Sequence, residues 1–197
     1  MNPYDARYDS DSYYWGIKPS LTCFEVLKRM PPERHLRLLD IGCGEGRNAI
    51  FFARNGYEVS AFDLSARGVE KTKRLAERAG VAIHAFQADI SEFRLAEEFD
   101  ILFSTGVLHC IPPALRVEVF GNYQRFTCLG GLNVFSALLH KPFIPPAPDA
   151  DAGAHLFRSG ELFAHYAAWR IEHCAEEVFD CMSSGVPHQH AVNRMVA

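Results

Sequence analysis

The stretch LLDIGCGEGRNA, residues 38–49, sets three glycines at alternate positions directly behind a run of aliphatic residues. A short apolar run ending in glycines reads as a buried strand that enters a tight turn and then a helix. Glycines placed there let the backbone approach a ligand closely and turn helix N–H groups toward it. Their spacing separates one cofactor from another. Gly42, Gly44 and Gly46 give G-x-G-x-G behind Asp40. A dinucleotide fingerprint is G-x-G-x-x-G, whose third glycine packs the helix on the strand.

Working outward, the helix after the loop carries Ala49, Ile50, Phe52 and Ala53 and stops at Asn55-Gly56. YEVSAFD (57–63) is a second strand, and Ser65 caps a helix whose Val69, Thr72, Leu75, Ala76 and Ala79 share one face before Gly80 ends it. VAIHAFQAD (81–89), FDILFST (99–105) and LNVFSALL (132–139) follow as strands, with a helical segment from Pro113 to Phe126 between the last two. Strands and helices alternating at this spacing predict an α/β fold with a doubly wound, mostly parallel sheet. Its ligand lies beyond the carboxyl ends of the strands.

The segment 140–158, which contains HKPFIPPAPDADAGAH, is too rich in proline for a helix or a central strand and reads as a loop over the site, either a lid or a passive connector. Ser159 and Glu161 open a helix with Leu162, Phe163, Tyr166 and Trp169 on one stripe, more suited to core than to substrate contact. RIEHCAEEVFDCM (170–182) and VPHQHAVNRMVA (186–197) are two closing strands joined at Ser183-Ser184-Gly185, an antiparallel end on a parallel sheet. With no repeat or second boundary, residues 1–197 form one domain, of which 1–35 supply an N-terminal flap and first helix.

A net charge of -4 offers no basic footprint for nucleic acid. No apolar run approaches the ~20 residues of a membrane helix, and MNPYDARYDS is no secretory leader, so the expected location is the cytoplasm. The expected partner is a small molecule, with no obligate protein partner. Cysteines 23, 43, 110, 128, 174 and 181 show no C-x-x-C pair and no zinc spacing. They read as buried reduced thiols, with no metal and no sensitivity to chelators.

Asp63 ends the second strand, where a carboxylate accepts ribose hydroxyls of a nucleoside cofactor. Asp89, in QADI at the end of the third, is placed for an adenine amino group with Ile90 against the ring, or else caps a helix. Two strand-end carboxylates suit a cationic nucleoside better than a pyrophosphate, which they would repel. With LLDIGCGEG, SAFDLS, QADI and FDILFSTGVLHCI in this order, the sequence resembles the class I S-adenosylmethionine-dependent methyltransferases. The resemblance implies a seven-stranded sheet and S-adenosyl-L-methionine as cofactor, converted to S-adenosyl-L-homocysteine. It would be held by Asp40, Gly42, Cys43, Gly44, Asp63, Leu64, Asp89, Ile90, Ser104, Thr105 and Gly106.

A narrower resemblance, to the tellurite-resistance (TehB-type) methyltransferases with thiopurine-type enzymes as near relatives, rests on YYWGIKPS (13–20), GEGRNAIFFARNGYEVSAFD (44–63), LGGLNVFSAL (129–138) and FRSGELFAHYAAWRIEH (157–173). It implies a small acceptor, a chalcogen oxyanion such as tellurite or selenite, or a thiol. It adds Arg47, Asn48 and Trp15 to the cofactor set. Arg47 would reach the cofactor carboxylate or merely cover the helix N-terminus, and the segment around Trp15 would be a flap over the cofactor or a strap on the sheet edge. A histidine–arginine pair handles the acceptor in that family. Here His188 matches the histidine, Gln189 replaces the arginine, and His190 and Arg194 remain for an anion grip. His109, where apolar residues are usual, is a further candidate at the end of the fourth strand. A non-catalytic cofactor-binding module and a nicotinamide oxidoreductase are the rival readings.

Overall fold

A computed structural model of the chain describes residues 3–148, 150, 154–182 and 185–197. The turn residues Ser183 and Ser184, and Asp149, Asp151, Ala152 and Gly153 of the expected loop, lie outside the described residues. The elements in chain order begin with α1 (Pro3–Arg7), α2 (Leu21–Arg29), β1 (Arg37–Ile41), α3 (Arg47–Arg54), β2 (Glu58–Asp63), α4 (Ala66–Ala79) and β3 (His84–Gln87). They continue with β4 (Phe99–Thr105), α5 (Arg116–Arg125), β5 (Thr127–Leu139), α6 (Glu161–His165), β6 (His173–Cys181) and β7 (His188–Val196).

The seven strands form one sheet in the order β3-β2-β1-β4-β5-β7-β6. Strands β1 to β5 pair in parallel, whereas β7 runs antiparallel to both β5 and β6. The expected doubly wound sheet with an antiparallel end is therefore present. Reversal of strand order between β1 and β4 leaves a crevice at their carboxyl ends, which is where such sheets bind ligands. Among the described residues no helix is long and apolar enough to cross a membrane.

Alternation along the strands sends side chains to two cores. Leu39, Ile41 and Phe62 pack with Phe120 and Tyr123 of α5 and with Leu162 and Tyr166. On the opposite face Leu38, Val59, Ile101 and Phe103 pack with Val26 of α2 and Phe52 of α3. Each such buried side chain contributes roughly 1.5–3 kcal/mol. Helix α4 starts and stops as its sequence dictates: Gly68 N donates to Ser65 Oγ at 3.1 Å, and Gly80 closes the helix at φ 66°.

Several boundaries differ from the sequence reading. Strand β5 begins at Thr127, five residues earlier than expected, with a register irregularity opposite Phe99 and Ile101. Gly131 makes that possible, because a Cβ there would stand 2.6 Å from Asp100 O. Helix α6 is only five residues long and its N-cap is Gly160, not Ser159. The chain then turns through Tyr166 N to Phe163 O and Trp169 N to Tyr166 O bonds, so the apolar stripe persists without a helix. Strand β3 is four residues, His84–Gln87, within the longer run expected. Tyr166 is fully buried against Phe120, Phe135 and Trp169, as expected of core.

Candidate active site

The glycine loop leaves β1 and enters α3 with all three alternate glycines at positive φ, 69° at Gly42, 57° at Gly44 and 90° at Gly46. A Cβ on Gly42 would stand 2.5 Å from Val107 Cγ1, so the loop after β4 presses directly on this turn. Gly44 N donates to Asp63 Oδ2 at 2.8 Å, and Ser65 N donates to Asp63 Oδ1 at 2.9 Å. Burial raises the Asp63 carboxyl above its ordinary range, and these two bonds pull it back. At Asp89 both local bonds, from Ser91 N at 2.8 Å and Ser91 Oγ at 2.7 Å, fall on Oδ1. The residue opens a turn rather than a helix, so it is not a helix cap.

These groups line a cleft of about 250 Å³. Of the residues expected to hold the cofactor, Trp15, Gly42, Cys43, Gly44, Arg47, Asn48, Asp63, Leu64, Asp89, Ile90, Thr105 and Gly106 line it. Asp40 and Ser104 do not. Asp40 is buried beneath the loop, with Oδ2 lacking a hydrogen-bond partner, and Ser104 Oγ donates to Ile41 O at 3.1 Å inside the sheet. Burial pushes the Asp40 carboxyl up to about 7, opposed by the Arg47 charge and reinforced by Asp63.

The N-terminal segment packs on α4 and borders the cleft. Ser65 Oγ donates to Asp5 Oδ1 at 2.5 Å, and Lys71 Nζ donates to Ser12 O at 2.6 Å, which tie the segment to α4. Its aromatic residues Tyr4, Tyr8 and Trp15 line the cleft. Trp15 Nε1 donates to the buried Tyr8 hydroxyl at 3.0 Å, and that hydroxyl is 3.2 Å from where a Gly44 Cβ would stand. Burial and the Asp63 charge push the Tyr8 hydroxyl far above its ordinary pKa, so it remains protonated. Arg47 Nη1 donates to Trp15 O at 3.1 Å and lines the cleft as well as flanking the helix start. Sequence reasoning missed Tyr4, Tyr8 and Glu45. The i, i+4 spacing of the two tyrosines, which places both on one helix face, was the available signal.

Asn48 joins three elements: Nδ2 donates to Thr105 Oγ1 at 3.2 Å, while Oδ1 accepts from Ser20 N at 2.9 Å and from Cys23 Sγ at 3.3 Å. Beyond Thr105 the cleft meets a second cavity of about 1100 Å³, and Tyr4, Trp15, Arg47, Thr105 and Gly106 border both. The larger cavity lies against Ser136 and Leu138 of β5 and Val192 of β7, under Lys141 to Ala147 of the proline-rich loop. That loop is pinned at both ends. His140 N donates to Phe157 O at 2.9 Å, Phe157 N donates to Leu138 O at 2.9 Å, and the buried Arg116 guanidinium donates to His155 O.

Three of the four acceptor candidates, His109, His190 and Arg194, line this cavity. His109 sits in a 3-10 turn, Leu108–Cys110, and is 5% exposed. Arg194 Nε donates to Glu177 Oε2 at 2.8 Å, so its charge is already shared with a carboxylate and it is no bare anion grip. His188 is set behind the wall, with Nε2 at 3.0 Å from His190 Nε2. The cysteines depart from expectation. Cys23 and Cys43 are buried, with burial pushing the Cys23 thiol up to about 12, but Cys174 is exposed and Cys110, Cys128 and Cys181 are half-buried. Cys181 pairs with His188 across the β6–β7 ladder, a convergence that linear spacing concealed.

Residues 11–185 match the family model of the tellurite resistance protein TehB. Hemagglutinin 1 of Eikenella corrodens is 30% identical over 142 residues, 68% of this chain and 44% of that protein. The probable S-adenosyl-L-methionine-dependent methyltransferase TehB of Haemophilus influenzae (strain 10810) is 27% identical over 136 residues, 68% of this chain and 46% of that protein. This chain thus spans somewhat under half the length of these curated relatives. The crystal structure of TehB from Haemophilus influenzae superposes with a TM-score of 0.80 at 20% identity, covering 98% of this chain and 65% of the other. The chain belongs to the TehB family of class I S-adenosylmethionine-dependent methyltransferases.

Proposed function

We propose that this chain transfers the methyl group of S-adenosylmethionine to a small acceptor whose attacking atom is sulfur or another chalcogen. The observation that carries the reading is the junction of a nucleoside-sized cleft with a larger, separate cavity at Thr105-Gly106. Donor and acceptor held in two chambers that share one border can be aligned for in-line transfer, which supplies much of the rate by positioning alone.

The residues present fit the donor. Gly44 keeps open a space that a Cβ would fill against Tyr8, and Asp63 and Asp89 offer acceptors for hydroxyl and amino groups. When bound, S-adenosylmethionine supplies an activated methyl on a sulfonium. The chain's own residues bind and orient. Trp15 and Tyr8 close the cleft on the N-terminal side, and Asn48 holds Thr105 at the junction. His109, buried on the acceptor side, offers an imidazole for contact with the acceptor. A chalcogen lone pair needs little help from a base, so positioning dominates.

The test is calorimetric titration with S-adenosylmethionine and with NAD, followed by assay of S-adenosylhomocysteine formation over tellurite, selenite and a series of thiols. Methyl-donor binding with turnover on one of these classes is expected. Binding without turnover on any acceptor would favour a non-catalytic module, and NAD binding alone would overturn the reading.

A further inference from the structure

Cys181, His188 and His190 meet where the β6–β7 ladder begins, beside the turn that joins the two strands. The ladder pairs Cys181 with His188, and His190, two residues on, shares a face with them. One ligating atom from each side chain lies within 4.8 Å of the others. His188 Nδ1 donates to Val186 O at 2.8 Å, which leaves the lone pair on Nε2, the arrangement by which a backbone carbonyl orients a metal-binding imidazole. That Nε2 is 3.0 Å from His190 Nε2. Two zinc–nitrogen bonds of about 2.0–2.1 Å at a tetrahedral angle require roughly 3.3 Å, a difference side-chain rotation can absorb. Cys181 and His190 also line the large cavity, and all three residues are half-buried, within reach of solvent.

We infer that Cys181, His188 and His190 form a mononuclear site for a divalent transition metal of the zinc type, with its fourth position open to the larger cavity. A thiolate with two imidazoles is too soft a set for magnesium or calcium and suits zinc. Among the described residues the site counts three ligands, the number found with an open position in reactive zinc sites, whereas structural zinc is closed by four. Metal binding displaces the Cys181 thiol proton to solvent.

The use of the vacancy rests on the methyl-transfer reading: it takes the sulfur of a thiol acceptor, whose proton also passes to solvent on coordination. The acceptor sulfur's lone pair then forms the new S–CH3 bond while the sulfonium carbon–sulfur bond breaks. That electron pair stays on S-adenosylhomocysteine.

The full chain, stripped of metal, is titrated with Zn2+ against a chromophoric chelator and separately with Co2+. One equivalent should bind, with a thiolate-to-cobalt charge-transfer band and proton release. Cys181→Ser should abolish the band, and it and His190→Ala should weaken zinc by about 100-fold, with unchanged thermal melting of the metal-free protein. Cys174→Ser, on the opposite face of β6, should keep both. A band that survives Cys181→Ser, zinc affinity equal in all variants, or no stoichiometric binding would overturn the site. S-adenosylhomocysteine formation from thiols is compared in zinc-loaded and stripped protein. A rate that falls on stripping and returns with zinc supports the assigned use, and an equal rate in both overturns it. Absence of turnover in both, with the cobalt band intact, would overturn the methyl-transfer reading and leave the metal site standing.

Discussion

Lys71 Nζ lies 2.6 Å from Glu45 Oε1, an ion pair in which the side chains are 11% and 2% exposed. The pair is a three-way joint. Lys71 belongs to α4, Glu45 to the glycine loop, and each holds the N-terminal segment, Lys71 through Ser12 O and Glu45 through Trp15 N at 3.3 Å. Lys71→Met would strand the Glu45 carboxylate in a buried setting. We expect a loss of about 3–5 kcal/mol in urea unfolding, with partial recovery in the Glu45→Gln, Lys71→Met double variant because no unpaired charge remains. Equal stability of the single variant and wild type would contradict this.

At Gly42 a side chain meets two obstacles, a φ of 69° and Val107 at 2.5 Å. Gly42→Ala should cost about 1–3 kcal/mol and weaken S-adenosylmethionine binding. Adding Val107→Ala should relieve the collision and leave the backbone strain, so recovery is incomplete. Full recovery in calorimetry would locate the whole cost in the collision.

Asp40 gives a pH dependence with a defined sign. Its carboxyl, ordinarily near 3.8, stays protonated to about 7 in the folded chain. Between those values the folded state binds more protons than the unfolded one, so its contribution is fully present below pH 4 and lost as pH rises through 7. The loss is on the order of 4 kcal/mol at its upper bound. Asp63, also raised by burial, acts in the same direction. Asp40→Asn should flatten the slope of ligand-free stability between pH 4 and 7, read from denaturant midpoints. An unchanged slope would show that Asp40 ionises freely.

His109 borders the larger cavity and not the donor cleft. His109→Ala should therefore lower S-adenosylhomocysteine formation by about 10- to 100-fold while leaving donor affinity intact. A drop in donor affinity of the same size would instead make the residue a structural support of the Thr105-Gly106 turn.

The smaller cleft was legible because the residues that line it are set by local sequence. Gly42, Asp63 and Asp89 each follow a strand whose apolar run is visible in the sequence, and parallel pairing brings strand ends to one edge automatically. Asp40 and Ser104 do not line the smaller cleft for a related reason: each is buried within its strand, while neighbours one or two residues on face the cleft. Tyr8 escaped notice because its contact with Gly44 spans the whole loop and depends on how α1 docks on α4. The acceptor side was harder. Which of His188, His190 and Arg194 faces the cavity depends on hairpin register, and the meeting of Cys181 with His188 exists only once that register is set.

The sheet order has a consequence for how such a protein is made and altered. Every residue of the smaller cleft lies between Tyr4 and Cys110, whereas β7, inserted between β5 and β6, supplies its wall of the second cavity from residues 189–196. During synthesis the first chamber is complete in sequence before the second has left the ribosome. On the proposed reading, substitutions in the β6–β7 hairpin would retune the acceptor without altering any residue that lines the smaller cleft.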